Sequence, residues 1–444
     1  MEYRDLVVIG AGAAGLSAAL SAKNDGIDDI LIVEKDDMLG GILNQCIHQG
    51  FGVHYLEKNL TGPEYSQVLS HKIYQKNIDV MLNTFCSDIS EDKVITLTNE
   101  EGIHKIKAKS IILSVGARER HIKELKIPGS RPSGVYTGGL AQQILNKRGY
   151  KIGKEAVILG SGDIGLIMCR RLILNNIKVK AIIEINDKIG GNKRNFKECV
   201  EDFDVPVIKN STICEIKGTE RIEAVVVKNI KNDAKQTIKC DTLITSIGLT
   251  PNLTVPINSN MKIDSKKINI DKYNQCSIDG VFCCGNICKI YSLVDDVSYD
   301  GEYVGKIASE YIKSKKLVDI DKVEVDKSSV STDGITCLIC PNGCNLKQSA
   351  TGDIEGNLCE KGIEFFKDEI INKKRSITST VKIENSKDRL PIKTSKPLDF
   401  KYIYEAINII DNIEVSSPIK MGDVIIENIL NTGVDIVSCR NIWY

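Results

Sequence analysis

Two glycine-rich turns with the same spacing are the features of this sequence best suited to chemistry. The glycines of these turns are Gly10, Gly12 and Gly15 in the first copy and Gly160, Gly162 and Gly165 in the second. In each copy the first glycine permits a tight turn, the second lets the backbone approach a pyrophosphate, and the third lets helix and strand pack closely. The pyrophosphate then rests against the free N–H groups at the start of a helix. The pattern therefore predicts two dinucleotide-binding sites.

An acidic residue follows each turn at the same distance. Glu34 and Glu184 each stand 24 positions after the first glycine of their turn (34 − 10 and 184 − 160). A carboxylate at the end of the second strand can accept hydrogen bonds from ribose hydroxyls. Glu184 would also repel a 2′-phosphate, and the neighbouring Ile185 and Asn186 supply no arginine to hold one, so NAD(H) is favoured over NADP(H). Lys188 is the nearby cation that could offset this preference.

Four of the fifteen cysteines form a cluster with the spacing C-x2-C-x3-C-x14-C. They are Cys337, Cys340, Cys344 and Cys359. Four thiolates suit a [4Fe–4S] cluster, which takes one per iron. Zinc also accepts four cysteines, although its usual pair of C-x2-C knuckles is incomplete here. The spacing predicts a metal site, with [4Fe–4S] favoured, zinc as the alternative and unmetallated thiols as the third possibility.

The elements that must position these groups repeat along the chain. The order strand, glycine turn, helix, strand and acid occurs at residues 6–34 and again at 156–184, which indicates a duplicated βαβ unit. The predicted fold class is α/β, with two Rossmann-like nucleotide-binding domains, the second inserted in the first, and a small C-terminal cysteine-rich, mainly β domain. The predicted bounds are 1–120 with 246–315 for the first domain, 121–245 for the second, 316–330 for a linker and 331–444 for the third.

Composition excludes several classes of partner. Lys+Arg and Asp+Glu both number 59, so the net charge is zero and no long-range field favours nucleic acid. No apolar run reaches the roughly 20 residues that a membrane helix needs. Nothing like a signal peptide precedes the first strand. We therefore expect a cytoplasmic protein without a membrane span, and an oligomer is possible.

Taken together, the motifs resemble the two-dinucleotide-binding-domain flavoproteins of the pyridine nucleotide–disulfide oxidoreductase superfamily. Segments 114–118, 246–252 and 280–286 resemble further cofactor segments of that superfamily, and the resemblance covers about residues 1–315. It implies FAD on the first turn and NAD(H) on the second. The implied FAD-binding residues are Gly10, Gly12, Ala14, Gly15, Glu34, Lys35, Gly41, Gly116, Gly285 and Asn286, where Asn286 replaces the usual Asp. The implied NAD-binding residues are Gly160, Gly162, Asp163, Ile164, Gly165, Glu184 and Gly248.

The segment beside the flavin departs from the disulfide reductases. Those enzymes need two neighbouring cysteines, one attacking and one resolving, but segment 40–48 carries only Cys46. Dithiol exchange is therefore disfavoured. Cys46 can act alone as a redox thiol, His48 can donate a proton near the flavin, or both can simply line the isoalloxazine pocket. The cysteines of segment 283–288 are expected to be packing residues.

Further resemblances concern the role of the whole chain. The cysteine cluster is similar to the cluster loop that opens molybdopterin oxidoreductases. Residues 331–444 resemble a small cysteine-rich domain of uncharacterised function, found with flavoproteins associated with anaerobic glycerol-3-phosphate dehydrogenases. The flavoprotein part also resembles the electron-transfer subunits of opine and sarcosine oxidases and hydrogen cyanide synthase.

These resemblances imply an FAD-dependent, NAD(H)-linked oxidoreductase that serves as the electron-transfer subunit of a dehydrogenase, such as one for glycerol 3-phosphate, with a partner dehydrogenase flavoprotein subunit. One alternative is a stand-alone NADH-dependent reductase of a thiol, quinone or peroxide that uses Cys46. Another is a redox-sensing or scaffold subunit that holds nucleotide without turnover.

Overall fold

The computed structural model describes residues 1–317, 319–323, 334–349 and 351–443. The chain divides into two compact units. One comprises Met1–Arg118 with Leu249–Asp326, and the other comprises Glu119–Gly248 with Lys327–Tyr444. The predicted linker 316–330 falls in part on residues outside the described ranges.

Nine α-helices occur within the described residues. They are α1 Ala13–Asn24, α2 Gly62–Gln75, α3 Gly138–Gln142, α4 Asp163–Leu174, α5 Lys193–Cys199, α6 Thr254–Asn258, α7 Val294–Ser314, α8 Glu360–Ile371 and α9 Ile403–Asp411. In that part of the chain, no helix combines the length and apolar character that a membrane crossing requires.

The first unit contains a sheet built around the first glycine turn. Its strands lie in the order Asp79–Met81, Ile30–Val33, Glu2–Ile9, Gly102–Leu113, Val94–Asn99 and Phe85–Ile89, and Val281–Cys283 also pairs with Gly102–Leu113. The central strands are parallel and their apolar runs are buried on both faces, as covered parallel sheets require. Helix α1 is rich in alanine and packs closely on α7, where a side chain at Gly301 would collide with the Ala14 carbonyl.

The second unit contains a parallel sheet built around the second glycine turn. Its strands lie in the order Val135–Thr137, Thr242–Thr245, Glu155–Leu159, Lys178–Ile183 and Val207–Ile208. An antiparallel sheet of Ser211–Lys217, Ala224–Asn229 and Lys235–Lys239 follows it. Helix α4 begins immediately after the glycine turn, at Asp163.

The C-terminal region belongs to the second unit and is rich in β-structure. Its larger sheet has the order Glu414–Val415, Thr378–Ile383, Arg389–Thr394, Ile436–Ser438 and Val424–Ile426. A smaller sheet of Ile335–Thr336, Asn345–Gln348 and Ile354–Glu355 surrounds the cysteine-rich loop. The predicted α/β fold, with two Rossmann-like domains and a β-rich C-terminal domain, is therefore confirmed.

Short strands complete the described structure. They are Gln49–Phe51, Leu60–Thr61, Ala117–Glu119, Leu249–Pro251, Ile263–Asp264, Lys267–Ile268, Lys374–Arg375 and Leu398–Asp399.

The C-terminal region is attached to α4 and to the turn after α5. Arg170 of α4 donates to the Ser376 carbonyl at 2.6 Å, and Arg171 donates to Ser379 Oγ at 3.1 Å. The rings of Phe203 and Phe400 lie 5.6 Å apart. Both polar and apolar contacts therefore fix this region to α4 and to the turn after α5.

Candidate cofactor-binding sites

The first glycine turn combines tight packing with one open approach. A Cβ on Gly10, whose φ is +98°, would lie 2.7 Å from the Ser114 carbonyl oxygen, and a Cβ on Gly15 would lie 1.9 Å from the Gly10 carbonyl oxygen. In contrast, a Cβ on Gly12 would meet no atom within 4 Å. Two glycines are therefore required by the fold, whereas Gly12 leaves room for a ligand to reach the backbone.

The start of α1 suits an anionic group. Gly12 is the N-cap, and no side chain caps the helix there, so the positive end of the helix faces the open space above the turn. Glu34, at the end of the adjoining strand, accepts from the Ala11 N–H at 2.7 Å and from the Asp36 N–H at 3.0 Å. Burial raises the pKa of Glu34. Lys35 instead pairs with Asp36 at 2.7 Å.

Other predicted FAD-binding residues lie around the same turn. Gly41 lies close to Gly12, because a Cβ built on Gly41 would be 3.5 Å from Gly12 Cα. Gly116 has φ +68° and, like Gly12, open space where a side chain would stand. A Cβ on Gly285 would lie 2.8 Å from Ala14 Cβ, which places the third predicted segment against α1. The residues that form an open cradle here fit an adenine dinucleotide such as FAD.

Asp300 is a residue of this site that sequence reasoning missed. Its Oδ2 accepts from the Gly285 N–H at 2.7 Å and its Oδ1 accepts from Asn274 at 3.4 Å. Asn286 Oδ1 accepts from the Tyr291 N–H at 3.0 Å. Asp300 thus holds the Gly285 turn in place, and burial raises its pKa. An acid on the buried face of the amphipathic α7 was the signal that could have revealed it.

His54 and Asp295 are two further residues of this unit that sequence reasoning missed. Asp295, at the start of α7, is 2% exposed, and its Oδ2 accepts from the His54 backbone N–H at 3.0 Å. In the described part of the chain, His54 Nε2 and Asp295 Oδ1 are buried and have no hydrogen-bond partner. Burial raises the pKa of Asp295, and nearby backbone N–H groups oppose that rise.

Cys46 and His48 lie between the first glycine turn and α2. The Cys46 carbonyl accepts from the Gly62 N–H at 2.9 Å. Burial raises the pKa of the Cys46 thiol to about 12, so the thiol is protonated at neutral pH. His48 Nδ1 lies 3.0 Å from the Gln49 carbonyl oxygen, and its ring lies 4.8 Å from that of Phe51. This arrangement does not favour Cys46 as a nucleophile.

The second glycine turn repeats the geometry of the first. A Cβ on Gly160, whose φ is +101°, would lie 2.1 Å from the Ser246 carbonyl oxygen, and one on Gly165 would lie 2.3 Å from the Gly160 carbonyl oxygen. A Cβ on Gly162 would meet only Ser246 Oγ, at 3.8 Å. Gly162 is also an N-cap without a side-chain cap, here for α4.

Glu184 is held by hydrogen bonds on both carboxylate oxygens. Oε2 accepts from Ser161 N at 3.0 Å and Ser161 Oγ at 2.5 Å, and Oε1 accepts from Asn186 N at 2.8 Å and Asn186 Nδ2 at 2.9 Å. Burial opposes ionisation, but these hydrogen bonds prevail and lower the pKa of Glu184. The group is therefore a negative charge at neutral pH.

The remaining residues predicted for NAD(H) lie near this turn. Asp163 Oδ1 accepts from the Asn192 N–H at 2.9 Å and from Asn195 Nδ2 at 2.8 Å. Ile164 packs closely on Gly138, because a Cβ built on Gly138 would lie 2.5 Å from the Cγ2 methyl group of Ile164. The Gly248 carbonyl accepts from the Arg120 N–H at 3.0 Å.

The four clustered cysteines lie on and near one tight loop. The Cys337 N–H donates to the Cys344 carbonyl at 2.7 Å and the Gly343 N–H donates to the Cys340 carbonyl at 3.3 Å. Burial raises the pKa of Cys337 to about 11, and the other three thiols add to this rise. Cys337 and Cys344 are buried, Cys340 is half-buried and Cys359 is exposed.

The donor chemistry fits a four-thiolate metal site. However, no group of three or more His, Cys, Asp or Glu side chains within the described ranges is arranged to hold a metal ion. The metal, whether iron–sulfur or zinc, stays a prediction.

Fold and sites together define a nucleotide-binding flavoprotein with two Rossmann-like domains. Residues 4–301 match the family described as pyridine nucleotide-disulphide oxidoreductase, and the chain belongs to that family. It is an FAD-dependent pyridine nucleotide oxidoreductase. Residues 360–440 match a family described as a protein of unknown function (DUF1667), and the four clustered cysteines precede that range.

Individual proteins show the same relationship. The chain is 26% identical over 324 residues to a 34.2 kDa protein in the rubredoxin operon of Clostridium pasteurianum, covering 70% of this chain and 98% of that one. It is 25% identical over 317 residues to thioredoxin reductase of Treponema pallidum, covering 69% and 97%. The crystal structure of T. acidophilum thioredoxin reductase has the same fold, with a TM-score of 0.59 at 22% identity, covering 71% of this chain and 100% of that chain.

Proposed function

We propose that this chain is an NADH-linked flavoenzyme that serves as the electron-transfer subunit of a dehydrogenase, with its cysteine-rich region as the exit for electrons. The observation that supports this proposal is the attachment of the cysteine loop to the domain that bears the second glycine turn. Arg194 of that domain donates to the Leu338 carbonyl in the loop at 2.9 Å. The proposed location is the cytoplasm, on the sequence argument alone.

The first turn would hold FAD and the second a nicotinamide dinucleotide. The residues for FAD are the open backbone at Gly12 and Gly116, the uncapped start of α1 and the carboxylate of Glu34. When bound, FAD supplies the chemistry that takes two electrons from a nicotinamide and releases them singly. The chain's own contribution is to bind and orient the two dinucleotides.

NADH is the proposed nicotinamide substrate, in preference to NADPH. Glu184 is ionised and fixed by Ser161 and Asn186 where a ribose hydroxyl would bind. A 2′-phosphate placed there would face a carboxylate that cannot easily turn away.

The four cysteines would hold a [4Fe–4S] cluster, with zinc as the alternative. Cluster thiolates and their neighbouring N–H groups set the potential at which such a group transfers electrons. The proposed recipient or donor is a partner dehydrogenase flavoprotein subunit, for example one acting on glycerol 3-phosphate.

The test of this proposal is metal analysis and acceptor specificity after anaerobic purification. We expect about 4 iron per chain and NADH-dependent reduction of a one-electron acceptor such as ferricyanide. Replacing Cys337 and Cys344 with serine should abolish iron binding but leave reduction of the flavin by NADH intact. Zinc without iron, or cysteine variants that keep full iron, would refute the electron exit.

A stand-alone reductase of a thiol, quinone or peroxide is the second candidate. The likeness to thioredoxin reductase of Treponema pallidum favours it. The raised pKa of Cys46 opposes it, because a protonated thiol is a poor nucleophile. Loss of thiol or peroxide reductase activity in Cys46→Ser would support this candidate over the first.

A further inference from the structure

The segment from Gly190 to Asn195 is fastened to the second glycine turn. The Gly191 N–H donates to the Ser161 carbonyl at 2.7 Å, and the Gly190 N–H donates to Ser161 Oγ at 2.9 Å. Two further hydrogen bonds run from the backbone of Asn192 and the side chain of Asn195 to Asp163, at 2.9 and 2.8 Å. These hydrogen bonds join the second glycine turn directly to the start of α5.

Arg194, which lies within this segment, contacts the cysteine loop. Arg194 is 6% exposed, and its Nε donates to the Leu338 carbonyl at 2.9 Å. Its Nη2 lies 3.3 Å from Glu198 Oε2, one turn further along α5. Gly343, in the same loop as Cys340, is also a neighbour of this arginine, because a Cβ built on Gly343 would lie in van der Waals contact with Arg194 Cβ, at 3.6 Å. Both sides of the loop thus contact one arginine.

We propose that Arg194 is a positioning residue that couples nicotinamide nucleotide binding to the order of the cysteine loop. A pyrophosphate bound at the second turn stabilises the arrangement in which Asp163 accepts hydrogen bonds from Asn192 and Asn195. It does so because the turn that binds the pyrophosphate leads directly into Asp163. Arg194 then extends that arrangement to the loop through Leu338. The coupling rests on the proposed function only in requiring that the second turn binds the nucleotide. Because linkage is reciprocal, a loop held in its ordered state should also tighten nucleotide binding.

The test is the protection of Cys340 by NAD⁺, which binds without reducing the flavin. The full chain, as purified anaerobically, is labelled with iodoacetamide in the presence and absence of saturating NAD⁺. Labelling of Cys340 is then followed by mass spectrometry, with the half-buried Cys214 as the reference thiol. If the cysteines hold a metal, Cys340 becomes available for labelling only when the metal is released, so the labelling rate reports that release. Calorimetry measures NAD⁺ binding separately on every variant.

Three variants separate the coupling from general stability. Asn195→Ala removes the hydrogen bond to Asp163, and Arg194→Gln removes the charged donor to Leu338. Arg148→Gln is the matched control, since it removes an ion pair with Asp388 on the same C-terminal region but not on the cysteine loop. If Arg194→Gln does not fold, Asn195→Ala still carries the test.

We expect NAD⁺ to slow Cys340 labelling at least about fivefold in the wild type and in Arg148→Gln, the lower end of typical couplings between sites. In Asn195→Ala and Arg194→Gln the effect should fall below about twofold, although NAD⁺ still binds. Bound NAD⁺ without protection of the wild type, or protection that survives in both variants, would overturn the coupling while leaving the proposed function intact. A failure of NAD⁺ to bind would overturn both.

Discussion

Arg375 joins the C-terminal region to the domain that bears the second glycine turn, and its removal gives the sharpest stability prediction. Its guanidinium, whose side chain is 2% exposed, donates from Nε to Asp202 at 2.5 Å and lies 2.6 Å from Glu369. The side chains of Asp202 and Glu369 are 0% and 10% exposed. Arg375→Met keeps much of the volume but leaves both carboxylates without this cation.

The expected cost follows from what remains nearby. Breaking a buried ion pair by removing one partner costs about 3–5 kcal/mol, because a buried charge is left uncompensated. Lys373 still lies 2.8 Å from Asp202, so Glu369 bears most of the loss. We therefore expect Arg375→Met to lower the free energy of unfolding of the C-terminal region by about 3–5 kcal/mol, and not by twice that amount.

The assay is urea unfolding followed by circular dichroism. Lys382→Met is the matched control: its ion pair with Glu414 joins side chains that are 58% and 43% exposed, so it should cost less than about 1 kcal/mol. Adding Asp202→Asn and Glu369→Gln to Arg375→Met should restore about half of the loss or more. An Arg375→Met cost no larger than that of the control would refute the argument that this pair fixes the region.

Three further predictions concern the sites. Gly12→Ala should keep the fold, with a change in unfolding free energy within about 0.5 kcal/mol, but should lose FAD. Gly15→Ala should instead destabilise the protein by about 1–3 kcal/mol, because its Cβ would strike the Gly10 carbonyl. Flavin content and thermal unfolding distinguish the two variants, and equal behaviour of both would contradict the roles assigned to these glycines. Because its pKa is raised to about 12, Cys46 should hold about 1,000-fold less thiolate at pH 8 than a thiol of pKa 9, so it should react slowly with iodoacetamide at pH 8 and about tenfold faster per pH unit above that. Fast labelling at pH 8, seen by mass spectrometry, would show that the thiol is activated. The KM for NADPH should exceed that for NADH at least about tenfold, and Glu184→Ser should lower this ratio of KM values. Steady-state kinetics that show no preference in the wild type would refute the role of Glu184 in selecting NADH.

The glycine turns were predictable because their determinants are local. Strand, turn, helix and acid lie within one short stretch of chain, so the residues and their roles follow from spacing. The parallel strands beside each turn read as uninterrupted apolar runs, such as Ile30–Val33. The α/β fold with two Rossmann-like domains could therefore be derived before any coordinates.

Residues that act through tertiary contact were not predictable. Asp300 reaches Gly285 from 15 positions downstream, and Arg375 reaches Asp202 across 173 positions. Sequence spacing carries no information on such pairs, because the path of the intervening chain decides them. Likewise, spacing identified the four cysteines as a group but not the contact of their loop with Arg194.

The most direct test of the central claim is an anaerobic NADH titration of the purified chain with its flavin bound. We expect about one FAD per chain and bleaching of the flavin absorbance by about one equivalent of NADH, because the cofactor takes two electrons from each nicotinamide. We also expect that Gly162→Val, which fills the open approach of the second turn, prevents bleaching by NADH but not by dithionite. A colourless protein that does not take up added FAD, or bleaching by NADH that is unchanged in Gly162→Val, would contradict the account.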